Sequence, residues 1–135
     1  MYEYSVKEVV KVVDGDTVDI VIDLGFDLSK KERVRLAGID CPESRTSDDE
    51  EKIMGNESKE YLKSRLESLV NVKVKTEKDG KYGRMLGWLY DEQGCINNDM
   101  VTRGYAWEYD GGTRDKNLED LRTKRSEFLG SVVPN

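Results

Sequence analysis

Two runs rich in β-branched residues, YSVKEVVKVV (4–13) and DTVDIVIDL (16–24), meet at Asp14-Gly15-Asp16. Partial alternation of apolar and polar side chains on both sides of an Asp-Gly pair predicts two antiparallel strands joined by a tight hairpin. That commits the first quarter of the chain to a sheet. After a loop expected over GFDLSKKE (25–32), RVRLAGI (33–39) sets Val34, Leu36 and Gly38 against Arg33, Arg35 and Ala37. It reads as a third strand with arginine on the face opposite its apolar side chains. It ends on Asp40-Cys41-Pro42-Glu43.

The spacing of Leu62, Leu66 and Leu69 in NESKEYLKSRLESL (56–69) predicts an amphipathic helix with Asn56 as N-cap. VNVKVKTE (70–77) and RMLGWLYDE (84–92) supply a fourth and a fifth strand. Two short helices follow. NNDMVTR (97–103) is capped at Asn97 or Asn98 and closed by Gly104, and NLEDLRTKRSEFL (117–129) places Leu118, Leu121 and Phe128 on one side, with Gly130 after its end. The expected class is mainly β with α. Five short antiparallel strands with a helix between the third and fourth is the order of a five-stranded OB-fold barrel with three helices, an order shared with other α+β layouts.

At 135 residues the chain fits one domain spanning 1–135, long enough to bury a core without disulfides. No run approaches the ~18 apolar residues of a membrane span, and the N-terminus lacks the basic and apolar regions of a secretory leader. The expected location is the cytoplasm, although a mature secreted protein stripped of its leader would read the same way. Cys41 and Cys95, with no histidine in the chain, make no zinc set, so reduced thiols are expected. No long exposed apolar stripe asks for a second copy, so a monomer is expected.

The formal charge of −6 argues against indiscriminate polyanion binding, but its distribution is uneven. Residues 43–51, ESRTSDDEE, are strongly acidic, and residues 73–84, KVKTEKDGKYGR, are basic.

Strand pairing would bring Asp16, at the first turn, close to Asp40, at the end of the third strand. Two carboxylates that near each other repel unless a cation lies between them, and oxygen ligands without histidine or paired thiols favour a hard ion such as Ca²⁺ or Mg²⁺. The alternative is that Asp14 to Asp16 only shapes the turn and Asp40 only caps the chain before Pro42. Arg35 and Arg84 could each present a planar fork to a phosphate, or could simply be solvated or salt-bridged. A carboxylate pair, a third carboxylate and two arginines are together the parts a phosphodiesterase needs.

VVDGDTV (12–18), VRLAGIDCPE (34–43), KYGR (81–84) and NNDMVTRGYA (97–106), in this order, resemble the staphylococcal nuclease family. The resemblance spans roughly residues 8 to 129. It implies an OB-fold barrel and Ca²⁺-dependent cleavage of DNA and RNA, with one Ca²⁺ held by Asp16, Asp40 and the backbone carbonyl of Cys41. Asp14 would support the metal site from behind. Glu43 would position the attacking water and accept its proton, and Arg35 and Arg84 would bind the scissile phosphate. Lys81 and Tyr82 would contact a terminal phosphate, and Trp107 or Tyr109 would either offer a ring for base stacking or pack in the core. A site of two carboxylates and a carbonyl predicts weak metal affinity, on the order of 10⁻⁴ to 10⁻³ M. Where the family's best-known member is rich in lysine after Glu43, this chain reads Ser47-Asp48-Asp49-Glu50-Glu51. Two other classes fit parts of the pattern: an OB-fold module that binds nucleic acid or protein without cutting, and a calcium-binding structural protein, which would have no need of Arg35 and Arg84.

Overall fold

The computed structural model describes residues 2–68, 70–76, 85–112 and 117–132. Among these residues eight strands and three helices follow in the order β1 (Tyr2–Asp14), β2 (Thr17–Gly25), β3 (Leu28–Leu36), β4 (Ile39–Asp40), α1 (Asp49–Leu66), β5 (Lys73–Thr76), β6 (Met85–Asp91), β7 (Gly94–Cys95), α2 (Ile96–Thr102), β8 (Trp107–Glu108) and α3 (Leu118–Val132). Strands β1 and β2 are the expected hairpin, with Asp14 opposite Thr17 across the Gly15-Asp16 turn. Three register shifts along β1 coil this long strand, which lets it pair with β2 over most of its length and with β5 through Tyr2–Ser5.

The sheet runs β3-β2-β1-β5-β6-β7 and closes through pairing of β3 with β6, a five-stranded barrel. That closing contact is parallel, Val34 to Leu36 against Met85 to Gly87, so the barrel is mixed where an all-antiparallel one was expected. A parallel pair needs a long crossover, and the roughly fifty residues between these strands, α1 among them, supply it. Buried Asn97 locks the junction. Its amide nitrogen donates to the carbonyls of Ala37 (2.8 Å) and Gly87 (3.1 Å), and its oxygen accepts from the backbone of Leu89 (3.0 Å).

Several expected boundaries move for physical reasons. Strand β3 starts at Leu28, because the β2–β3 turn is only Phe26-Asp27, both at positive φ. Aspartate tolerates positive φ but phenylalanine rarely adopts it, which is why the sequence reads as a longer loop. Helix α1 begins seven residues before Asn56. Asp48 caps it by accepting from the backbone of Glu51, and Asp49, Glu50 and Glu51 fill its first turn, where the helix dipole favours carboxylates. Helix α2 starts at Ile96 after Cys95, so neither Asn97 nor Asn98 caps it, and Gly130 lies inside α3 instead of ending it.

Val18, Ile20, Val34, Leu36, Val74 and Leu89 line the barrel interior, and Leu62 and Leu66 of α1 and Ile96 and Met100 of α2 join the same core. Leu69 lies outside the described residues. A second, smaller cluster of Met54, Trp107 and Leu121 fastens α3 to α1. Among the described residues, no helix is long and apolar enough to cross a membrane.

Candidate active site

Strand alternation aims Val34 and Leu36 into the core and turns Arg33 and Arg35 outward. Arg35 pairs in register with Thr17, the residue after the hairpin turn, and the backbone of Leu36 donates to the carbonyl of Asp16 at 2.8 Å. The turn is thereby pinned to the end of β3. The chain then bends at Ala37-Gly38 and returns as β4, a separate two-residue strand paired with β8, which carries Asp40 back towards the turn.

The outcome is a compact charge cluster. One guanidinium nitrogen of Arg35, Nη2, stands 3.6 Å from Asp16 Oδ2 and 3.6 Å from Asp40 Oδ1. The two carboxylates are therefore no farther apart than those two spans laid end to end. Arg35 Nη1 donates to the Leu36 carbonyl at 2.8 Å, which fixes the plane of the fork. Asp16 also accepts from the backbone of Cys41 (3.0 Å) and from Thr17 Oγ1 (3.2 Å). All three charged side chains are recessed, between 13% and 18% exposed.

Glu43, three residues after Asp40, is exposed, and two contacts set its backbone. Its N–H donates to Glu51 in the first turn of α1 at 3.0 Å. Its peptide with Ser44 lies directly on Gly55 of α1, where an added Cβ would come within 2.5 Å of the Glu43 carbonyl. Gly15 plays the matching part at the turn, where a Cβ would meet Ser58 at 2.7 Å and the Cys41 sulfur at 2.9 Å. Asp14 accepts from the hydroxyl of Ser44 at 2.5 Å, so it braces the segment that follows Glu43. Gly15 reads in the sequence only as part of the turn, and neither Gly55 nor Glu51 stands out there. The one signal there is that Glu51 lies eight residues after Glu43, within reach of a short loop folded back on a helix end.

Three of the four carboxylates in the acidic run 47–51 have partners within the protein. Asp48 caps α1, Glu51 holds Glu43, and Glu50 pairs with Arg122 of α3. The Cys41 thiol is buried; desolvation first, then the charge of Asp16, push it well above its ordinary range, so it stays protonated. Trp107 offers no ring to a ligand. It is buried in the second core, and its indole N–H donates to the Asn117 carbonyl at 3.1 Å. Tyr109, by contrast, borders a recess of about 310 Å³ beside Arg35, together with Leu86, Gly38 and Asp110. Lys81, Tyr82 and Arg84 lie outside the described residues.

As donors, Asp16 and Asp40 suit a hard, oxygen-seeking ion. Two carboxylates share one arginine, which leaves a net negative charge among largely buried side chains that a divalent cation would neutralise. Among the described residues no three cysteine, aspartate or glutamate groups converge as a metal cluster, so most of such an ion's shell would fall to water and ligand.

Comparison with known proteins is consistent with this arrangement. The profile of the family described as staphylococcal nuclease homologue matches residues 33–127, the stretch from β3 into α3. An uncharacterized endonuclease of Escherichia coli O157:H7 is 33% identical over 117 residues, covering 86% of this chain and 69% of that protein. The micrococcal nuclease of Shigella flexneri is 33% identical over 111 residues, 76% of this chain and 57% of its own length. Endonuclease YhcR of Bacillus subtilis is 33% identical over 107 residues, 73% of this chain but only 8% of the larger protein. A closed five-stranded barrel with three helices, and a match across the stretch that carries Arg35, Asp40 and Glu43, lead to one assignment: the chain belongs to the staphylococcal nuclease family.

Proposed function

We propose that this chain is a Ca²⁺-dependent nuclease that hydrolyses phosphodiester bonds of DNA or RNA by in-line attack of water. Family membership and relatives named as endonucleases support a nuclease. The observation that carries the finer reading is the single Arg35 nitrogen shared at 3.6 Å by Asp16 and Asp40, with Glu43 three residues along the chain and tied to Glu51 of α1. A phosphate entering the recess would draw Arg35 onto its oxygens, where a planar donor pair binds more strongly as negative charge builds up in the transition state. Asp16 and Asp40, with the Cys41 carbonyl, would hold one Ca²⁺. When bound, the ion supplies charge neutralisation at the phosphate.

Glu43 positions the water and takes one of its protons as the new phosphorus–oxygen bond forms, and the opposite ester oxygen departs and is protonated. Arg84 would share the phosphate charge with Arg35, and Lys81 and Tyr82 would contact a neighbouring phosphate. Tyr109, at the rim of the recess, offers a face for a base, a sequence-tolerant contact of about 1 to 3 kcal/mol.

The test is cleavage of single-stranded DNA and RNA at low ionic strength, with Ca²⁺ or with chelator, beside Glu43→Ala and Arg35→Ala. Activity should require Ca²⁺ and fall by about 10²-fold or more in each variant. A folded protein with no cleavage under any divalent ion, yet with retained oligonucleotide binding, would establish the non-cutting OB-fold module instead.

A further inference from the structure

Arg35 is the innermost member of a row. Along β3 the outward positions are Lys31, Arg33 and Arg35, and the β1–β3 register sets Lys11, Asp19 and Arg33 side by side across three strands. Arg33 is half-exposed and forks onto Asp19 at 2.8 and 3.0 Å. Lys31 and Lys11, both exposed, also act on Asp19 electrostatically. Three cations thus surround one carboxylate on the barrel wall, in a chain whose net charge is −6. Glu8 of β1, in register with Val21 and so two strands from Lys31, borders the strip.

We infer that this outer face of β1–β3, marked by Lys31, Arg33 and Lys11, is a docking track for the phosphates of a single-stranded nucleic acid whose scissile bond lies at Arg35. The inference rests on the nuclease reading of that site and extends it to a substrate class. Alternate residues on a strand stand about 6.6 Å apart, close to the spacing of successive phosphates on an extended single strand. Because Arg35 is recessed, at 16% side-chain exposure, a flexible strand can lower one phosphate into the site while its neighbours stay on the rail. The stacked backbone of a duplex cannot bend in this way without unpairing.

The test is fluorescence anisotropy of labelled dT16, and of a duplex of equal length, with chelator present so that nothing is cut. Lys11→Ala/Lys31→Ala removes two exposed cations and leaves the Arg33–Asp19 pair intact, while Asp19→Asn removes the one carboxylate amid the strip. The double variant should bind dT16 several-fold more weakly, and its plot of log affinity against log salt should be shallower by about 0.7 for each phosphate no longer neutralised. Asp19→Asn should shift both quantities the other way. Unchanged affinity and slope in both variants, with circular dichroism matching the parent, would overturn the track, as would a loss confined to duplex.

Cleavage of a thymidine dinucleotide with Ca²⁺ separates the two proposals. If the parent protein cuts it while the anisotropy is unmoved, the track alone fails. If binding shifts as expected while no substrate is cut, the nuclease reading fails, and with it the placement of a scissile bond at Arg35, and only a phosphate-binding strip on β1–β3 stands.

Discussion

Gly55→Ala gives the sharpest test of how the site is held. By helix propensity alone, alanine inside the long helix α1 should stabilise the protein by about 0.8 to 1 kcal/mol. The packing says otherwise. The new Cβ would lie 2.5 Å from the carbon and oxygen of the Glu43 carbonyl and 2.7 Å from the Ser44 nitrogen, about 1 Å short of ordinary contact. Both neighbours are backbone, so no side chain can rotate away. Overpacking of this kind costs about 1 to 3 kcal/mol, which outweighs the propensity gain and leaves a net loss of up to about 2 kcal/mol.

The larger effect should fall on activity, because the group that must move carries Glu43. A displacement near 1 Å at a reacting group can cost about 10²-fold in rate. Urea denaturation and initial rates of DNA cleavage measure the two consequences separately. Gly130→Ala in α3, where the added Cβ meets open space, is the matched control and should be neutral or slightly stabilising with full activity. If Gly55→Ala proved as stabilising as the control and equally active, the claim that α1 sets the position of Glu43 through backbone contact would be wrong.

Asn97→Ala should cost about 2 to 4 kcal/mol in urea unfolding, since it strands the buried Leu89 N–H and opens the barrel seam; a loss below about 1 kcal/mol would refute the locking role. In the native protein a thiol reagent should label Cys95 and spare buried Cys41, with both labelled in urea; labelling of both at equal rates under native conditions would contradict the burial. Arg33 holds the Asp19 carboxyl below its ordinary value of 3.8, so the native state resists protonation there more than the unfolded state does. Its stabilising contribution is present above that value and lost as pH falls through the lower native one. Asp19→Asn/Arg33→Gln should therefore lose less stability than the parent between about pH 5 and pH 2, and parallel pH profiles would dismiss the pair.

The barrel strands and the placement of Arg35 were legible from residue order because strand alternation has a period of two. Val34 and Leu36 inward require Arg33 and Arg35 outward. Asp14-Gly15-Asp16 likewise announced its hairpin, since turn chemistry is decided within a few residues. Helix α1 was found but begun late. Asn56 looks like an entry point, whereas Asp48 had already capped the helix and Gly55 serves a neighbour earlier in the chain.

What the sequence by itself determined is whatever a local period or a turn can encode: the strands, the outward arginine, and carboxylates at strand ends. Only the tertiary structure decided that β3 closes on β6 in parallel, that Asn97 belongs to that seam, that Trp107 is core while Tyr109 borders the recess, and that Glu51 and Gly55 set the chain at Glu43. These depend on which backbones and rings meet across tens of residues, and packing of the assembled chain fixes those meetings while the local pattern leaves them open.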